Sequence, residues 1–475
     1  MSGLAGYYLS KGYQVSGSDL DKSAIAESLE KQGAKIFYGP HKAANLDSSV
    51  DLVVHTSAAT PKNPELKKAK KLGIKIQTYS QALGDLTKKM FTIAVSGMHG
   101  KSTTTAMLAL VLEKAGFDPT VIVGTKLREW GNLNYRVGNP STRLRARSYL
   151  VIEADEYKAA FLNYRPKILV LTNIEEEHLD YYKDLKHIIN VFKKYISRLG
   201  KKGILVANGD NANILKIKMQ KSKSQFKIQN YSTRQQETGK IRQILKVPGD
   251  HNVSNALAVL VVARELKISD KITFKTLSDF SGTWRRMEYR GKINGAQIYD
   301  DYGHHPTEIK ATLEGAREFL QISPFFKGGQ RGISKKNPPR PSFQTGFACN
   351  SFGINEKGGR RLYCVFQPHQ YQRTYKLFNQ FTNAFDFADK TIILPIYSVA
   401  GREKENVKRK VNSEMLVKAI TRRKQLTVNR KQEVSYLDSF QKAKNYLKKN
   451  LKKGDVCVIM GAGDVYKLTE MLLKR

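Results

Sequence analysis

The run Gly97-Met98-His99-Gly100-Lys101-Ser102-Thr103 constrains this chain more than any other feature. It lies between the apolar stretch Phe91–Ser96 and a segment with Met107, Leu108, Val111 and Leu112 at helical spacing. An apolar strand that passes through a glycine turn straight into a helix predicts a parallel, helix-covered sheet with the turn at its C-terminal edge. The glycines let backbone N–H groups close on phosphate oxygens at a helix N-terminus. Lys101 then supplies a point charge for β/γ-phosphates, and the Ser102 hydroxyl is placed for Mg²⁺. A bare glycine turn would need neither the lysine nor the hydroxyls. The loop is two residues shorter than the common G-x-x-x-x-G-K-[ST] form.

Short apolar runs alternate with helical-period segments along most of the 475 residues. Leu52–Val54, Thr92–Val95, Tyr149–Ile152, Ile168–Leu171, Ile204–Val206, Leu362–Phe366, Ile392–Leu394 and Val456–Ile459 read as buried strands. Glu65–Leu72 reads as a helix stopped by Gly73. The fold class is therefore α/β, and the length calls for two or three domains. The expected divisions are 1–87, 88–282 with the phosphate loop, and 283–475. Residues 322–359, rich in Gly, Pro, Ser, Asn and Lys, bury little apolar surface and read as a surface insertion in the last domain.

Composition excludes several classes. No stretch approaches twenty uninterrupted apolar residues, so no membrane-spanning helix is expected. The start, Met1–Lys11, carries no secretory signal pattern. Cys349, Cys364 and Cys457 have neither metal-type spacing nor the number for a disulfide framework, which fits a reducing cytoplasm. The formal net charge of +39 would attract polyanions, yet the basic residues are dispersed rather than gathered into a footprint. A nucleic-acid partner is not expected, and anionic small substrates are. A monomer or homodimer is expected.

Two acidic clusters follow apolar strands: Glu153-Ala154-Asp155-Glu156-Tyr157, and Thr172-Asn173-Ile174-Glu175-Glu176-Glu177-His178. Both fall at strand C-termini, where open α/β sheets place ligands, and a nucleotide needs metal-held charge neutralisation. Gly249-Asp250-His251-Asn252-Val253-Ser254-Asn255 puts two asparagines near a helix start, where Asn252 or Ser254 can also serve as a cap. Arg285-Arg286-Met287-Glu288 precedes Ile298-Tyr299-Asp300-Asp301-Tyr302-Gly303-His304-His305-Pro306. Adjacent pairs of Asp and His cannot all converge on one ion, so this stretch reads as a nucleotide-handling loop.

With these motifs the chain resembles the Mur ligase family, most of all its alanine-adding members. The matching stretches are Met1–Ala5, Val15–Asp19, the phosphate loop, Glu153–Glu156, Thr172–Ile174, His251-Asn252, Asp300–Pro306, Phe366–His369 and Met460–Asp464, covering nearly everything except 322–359. The resemblance implies three domains: a Rossmann-like holder of a UDP-sugar, a central ATPase and a Rossmann-like domain that brings the amino acid. It implies ATP and Mg²⁺, with L-alanine joined to the lactyl carboxylate of UDP-N-acetylmuramate through an acyl phosphate. By matched position, Lys101 holds the β/γ-phosphates, Ser102 and Glu153 one Mg²⁺, and His178 a second. The rest of the phosphate loop (Gly97, Met98, His99, Gly100, Thr103) cradles the nucleotide. Asn252 and Asn255 contact the adenine side, Arg286 the phosphates and Asp301 the ribose. His369 and Arg373 face the acyl phosphate and incoming amine, while Ser18, Asp19, His304 and His305 lie toward substrate.

Some positions depart from the family pattern. The usual opening strand and Gly-x-Gly-Gly-x-Gly loop do not precede Met1-Ser2-Gly3, which reads as a start codon assigned downstream of the true one. Glu177-His178 stands for the usual Asp-His, Gln370 for a common Arg, and Tyr157 for the usual Ser. Tyr157 also occurs in the murein-tripeptide recycling ligases, the nearest rival reading, but Phe366–Thr374 follows the alanine-adding pattern. A rival of another class, a basic nucleic-acid-binding ATPase, calls for a Walker-B acid where Thr172-Asn173 stands. A binding-only remnant is the third.

Overall fold

The structure, a computed structural model, describes residues 1–139, 148–178, 181–219, 226–321, 360–399, 405–427 and 432–474. The 322–359 stretch and Cys349 lie outside the described residues.

In chain order the strands are β1 (Ser16–Asp19), β2 (Lys35–Tyr38), β3 (Leu52–His55), β4 (Lys75–Thr78), β5 (Phe91–Ser96), β6 (Thr120–Leu127), β7 (Leu133–Arg136), β8 (Tyr149–Glu153) and β9 (Ile168–Leu171). They continue with β10 (Ile204–Asn208), β11 (Lys227–Tyr231), β12 (Glu288–Ile293), β13 (Ala296–Asp301), β14 (Leu362–Phe366), β15 (Lys390–Ile393), β16 (Glu433–Tyr436) and β17 (Val456–Met460). The central sheet has the order β11-β10-β9-β5-β8-β6-β7, parallel except for β7.

Period-two alternation explains how this sheet is buried on both faces. Ile93, Val95, Val151, Ile168 and Val170 join one core with the helices Lys101–Lys114 and Asp250–Glu265. Ala94, Leu150, Ile152, Leu169 and Leu171 point the other way, against Tyr79–Lys89 and Leu185–Ile196. A strand apolar at every position, such as β9, is stable only between two such layers, where each side chain contributes roughly 1.5–3 kcal/mol by leaving water. Its four residues are fully buried.

The third domain repeats the logic with six strands in the order β12-β13-β17-β14-β15-β16, with only β12 antiparallel. Cys364 and Phe366 face one core and Tyr363 and Val365 the other. Cys364 and Cys457 are buried free thiols whose pKa burial pushes up, so both behave as small apolar side chains. The first domain differs from a single Rossmann-like sheet. Its described residues form two separate two-stranded parallel sheets, β1–β2 and β3–β4.

The sequence-read elements shift slightly at their ends. The helix expected from Glu65 spans Pro64–Lys71, where Asn63 accepts from the N–H groups of Glu65 and Leu66 and satisfies two donors of the first turn. The strand expected at Ile392–Leu394 is Lys390–Ile393, since its ladder with β14 begins at Lys390. The edge strands β7 and β12 went unread, because their half-exposed residues lack an apolar run.

Candidate active site

The C-terminal ends of β5, β8 and β9 face those of β13 and β14, and the chemistry-bearing side chains meet in that cleft. At its base the phosphate loop leaves β5, and the helix begins at Lys101. Gly97 (φ +137°) and Gly100 (φ +80°) take conformations that side-chain-bearing residues avoid. A Cβ on Gly97 would lie 2.1 Å from Thr172 Oγ1, and one on Gly100 2.5 Å from Asn255 Oδ1. Thr172 Oγ1 donates to the His99 carbonyl (2.6 Å), and the His99 N–H donates to Asn173 Oδ1 (2.8 Å). Thr172-Asn173 therefore braces the loop.

Charge is concentrated beside it. Lys101 Nζ lies 2.9 Å from Glu156 Oε2 and donates to the carbonyls of Gly97 (2.6 Å) and Met98 (3.1 Å). Glu156 is fully buried and also meets His178 Nε2 at 3.1 Å. Burial alone would lower the pKa of Lys101 and His178 and raise that of Glu156; their mutual attraction outweighs it in each case, holding the two bases up and the carboxyl down. Asp155 is pushed up by burial and by Glu156. Ser102 Oγ donates to both Glu153 oxygens (3.0 and 2.9 Å), and the Gly124 N–H donates to the same carboxylate at 2.7 Å. Asp155, Glu156 and His178 also form a group whose ligand atoms lie within 4.8 Å of one another. Oxygen-rich donors of this kind suit Mg²⁺, and the glycine cradle suits phosphate, so the residues fit a magnesium nucleotide.

The remaining residues approach from elsewhere. Asn252 and Asn255 lie on the helix Asp250–Glu265, which is capped at Gly249 rather than by Asn252 or Ser254. Asn252 Nδ2 donates to the Pro248 carbonyl, and Asn255 lies against Gly100. Arg286 lies 3.3 Å from Glu308. Asp301 is buried and accepts from the N–H groups of Met287 (2.8 Å) and Gly303 (2.7 Å), so it also holds the loop after β13 in place. His304 and His305 point apart. His304 approaches Glu308 (3.5 Å) and the His369 ring, whereas His305 lies against His99 with ring centroids 4.9 Å apart. Burial and Arg373 bring His304 down to about 4, and burial with Arg286 does the same for His251. His369 Nδ1 accepts from Arg373 Nη1 (3.0 Å), and the ring stacks on Tyr397.

Arg373 reaches across the cleft to Glu177, with Nε donating at 3.0 Å. Burial would raise the Glu177 carboxyl, but Arg373 and the facing histidines hold it well below the usual carboxylate range. His178 (φ +53°), Gln370 (φ +72°), Arg285 (φ +53°) and Met287 (φ +48°) all take left-handed backbone here, the kind of local strain that folds retain at sites. Ser18 and Asp19 end β1; Ser18 Oγ accepts from Asn45 (3.3 Å). Among the described residues, no hydrogen bond or ion pair links those two to the cleft. Glu156, Glu175 and Glu177 belong to the two acidic clusters read from the sequence, which gave them no individual role, and Glu308 was not singled out at all. For Glu308 the available signal was its place three residues after His305, where its carboxylate accepts from the backbone N–H groups of His304 and His305.

Known proteins match this arrangement over the whole chain. Residues 1–90 match the description "Mur ligase family, catalytic domain", 95–263 "Mur ligase middle domain", and 285–330 with 351–463 "Mur ligase, glutamate ligase domain". A UDP-N-acetylmuramate–L-alanine ligase of Acetivibrio thermocellus is 38% identical, the alignment covering 100% of this chain and 93% of that one. The chain belongs to the Mur ligase family. Among solved structures, this Mur ligase matches the UDP-N-acetylmuramate–alanine ligase of Thermotoga maritima with a TM-score of 0.71 at 22% identity, over 100% of this chain and 95% of that one. A murein peptide ligase of Psychrobacter arcticus matches with a TM-score of 0.63 at 23% identity, again over 100% and 95%. Both likenesses bear on the fold. No described helix of this Mur ligase is long and apolar enough to cross a membrane.

Proposed function

We propose that this chain is an ATP-dependent ligase that joins L-alanine to the lactyl carboxylate of UDP-N-acetylmuramate through an acyl phosphate. The observation that carries the reading is full-length identity of 38% to curated ligases of that activity, together with an intact phosphate loop, Ser102–Glu153 pair and Glu156–His178 pair. The murein-tripeptide reading loses ground because those curated relatives are named for alanine.

The residues divide the work by where they sit. The loop N–H groups from Gly97 to Thr103 and Lys101 receive the β/γ-phosphates, which requires Lys101 to exchange Glu156 for phosphate oxygens. Ser102 and Glu153 would hold one Mg²⁺ and His178 a second; bound there, Mg²⁺ supplies neutralisation of phosphate charge. Asn252 and Asn255 lie on the adenine side, Asp301 toward the ribose, and Arg286 toward the phosphates. The cleft positions the carboxylate for phosphorylation and then presents the acyl phosphate to the amine. His369 and Arg373 face that step from the third domain, with His304 and His305 beside them. His304, largely neutral near pH 7, offers a nitrogen lone pair in the cleft. Ser18 and Asp19 belong to the sugar-nucleotide end.

A direct competition tests the choice of amine. Purified protein given UDP-N-acetylmuramate, MgATP and equal amounts of L-alanine and L-Ala-γ-D-Glu-diaminopimelate should yield the alanine adduct by mass spectrometry. Preferential formation of the tripeptide adduct would overturn the assignment.

A further inference from the structure

A second cluster lies beside the magnesium donors; His99 serves the phosphate loop through its backbone and His305 lies toward substrate, but the ring nitrogens that meet here have been given no ligand. His99 comes from the phosphate loop, Glu175 from the segment after β9, and His305 from the loop before the helix Pro306–Gln321 of the third domain. One ligand atom from each lies within 4.8 Å of the others. His99 Nε2 is 3.7 Å from Glu175 Oε2, and the two imidazoles face each other at 37° with centroids 4.9 Å apart. Among the described residues, neither His99 Nε2 nor His305 Nε2 has a hydrogen-bond partner, although His305 is only 2% exposed. A buried ring nitrogen without a partner is costly, and two of them converging beside a carboxylate is a ligand geometry rather than a packing one. Glu177 Oε2, buried and without a hydrogen-bond partner among the described residues, lies 3.9 Å from His305 Nε2.

We propose that His99, Glu175 and His305 form a site for a divalent transition metal of the zinc class, bridging the phosphate loop and the third domain. Two imidazoles and a carboxylate favour Zn²⁺, Co²⁺ or Ni²⁺ over Mg²⁺, which prefers an all-oxygen shell. Tetrahedral ligands about 2.1 Å from an ion sit roughly 3.4 Å apart, so side-chain adjustments of about an ångström close the present spacing. The Glu175 side chain is 31% exposed and gives the ion a path from solvent. His305 is held in its neutral form by burial and by His99. For His99, burial works against protonation, but Glu308 and Glu175 push it up to about 10, so the ion displaces one proton from His99 Nε2 on binding. An ion held there ties the phosphate loop to the third domain, a link separate from any nucleotide.

Co²⁺ titration of the metal-stripped full chain in excess Mg²⁺ tests this. The expected result is one Co²⁺ per chain with the intense visible bands of low coordination, displaced by Zn²⁺ and accompanied by proton release. Glu175→Gln, which is near-isosteric and partly exposed, and His305→Ala should each weaken binding at least about tenfold, while His178→Ala leaves it unchanged. No Co²⁺ band in the wild type, affinity unaltered in Glu175→Gln, or loss of the band in His178→Ala would each overturn the site. Because the readout is metal binding, it stands whether or not alanine is the amine.

Discussion

Replacing Glu156 by Gln isolates the charge logic of the phosphate loop. Glu156 lies 2.9 Å from Lys101 and 3.1 Å from His178, and its side chain is 1% exposed against 12% for Lys101. At an effective dielectric of about 20, a unit pair at that distance attracts by roughly 6 kcal/mol. Desolvation offsets much of this, and removing one partner of a buried pair costs about 3–5 kcal/mol. The amide still accepts from Lys101, and His178 can fall neutral, so about 3 kcal/mol is expected. For a unit of this size that corresponds to a fall in Tm of roughly 6–12 °C. ADP should reverse more of the loss than it adds to the wild type, because its phosphates replace the missing carboxylate beside Lys101 and no longer compete with Glu156. Differential scanning calorimetry with and without ADP, in EDTA to keep metal effects out, measures both shifts. A variant within about 2 °C of wild type, or an ADP-induced rise no larger than the wild-type rise, refutes the pairing argument.

Three further substitutions read other parts of the structure. Lys101→Ala should lower turnover by about a hundredfold or more while the far-ultraviolet circular dichroism stays native. Gly97→Ala places a Cβ 2.1 Å from Thr172 Oγ1 at φ +137°, a strain of about 1–3 kcal/mol, so calorimetry should record ADP binding about ten- to a hundredfold weaker. Asp300 is buried, accepts from Thr469 and is raised by burial to about 6. A carboxyl with a raised folded-state pKa contributes stability that is present below about 3.8 and lost as pH rises through about 6. Asp300→Asn should therefore be more stable than wild type at pH 8, by about 1–3 kcal/mol, with the gap closing toward pH 4 in denaturant titrations.

What the sequence made legible was local. Ile168–Leu171 announces a buried strand by itself, and Gly97–Thr103 carries its turn, charge and hydroxyls within seven residues. Thr172-Asn173 was visible as a motif, but its work, bracing the carbonyl and N–H of His99, emerges only once β5 and β9 pair. The contacts across the cleft were invisible for a stronger reason. Glu177 and Arg373, His99 and Glu308, and Glu175 and Thr307 lie on different domains, and no spacing along the chain encodes their meeting. Gln370 reads as a mere departure from a pattern, whereas its left-handed backbone sets the start of the helix Tyr371–Lys376 that carries Arg373. In the first domain only β3 was read, from Leu52–Val54, and its residues are half-buried rather than buried; β1, β2 and β4 and the division into two sheets went unread, since short strands with exposed residues carry no strong period.

The most direct test of the ligase reading is ADP release measured with every combination of UDP-N-acetylmuramate, L-alanine and Mg²⁺. Turnover that needs all three, with one alanyl adduct formed per ADP, is the predicted result. ADP release that proceeds equally without the sugar nucleotide would contradict it.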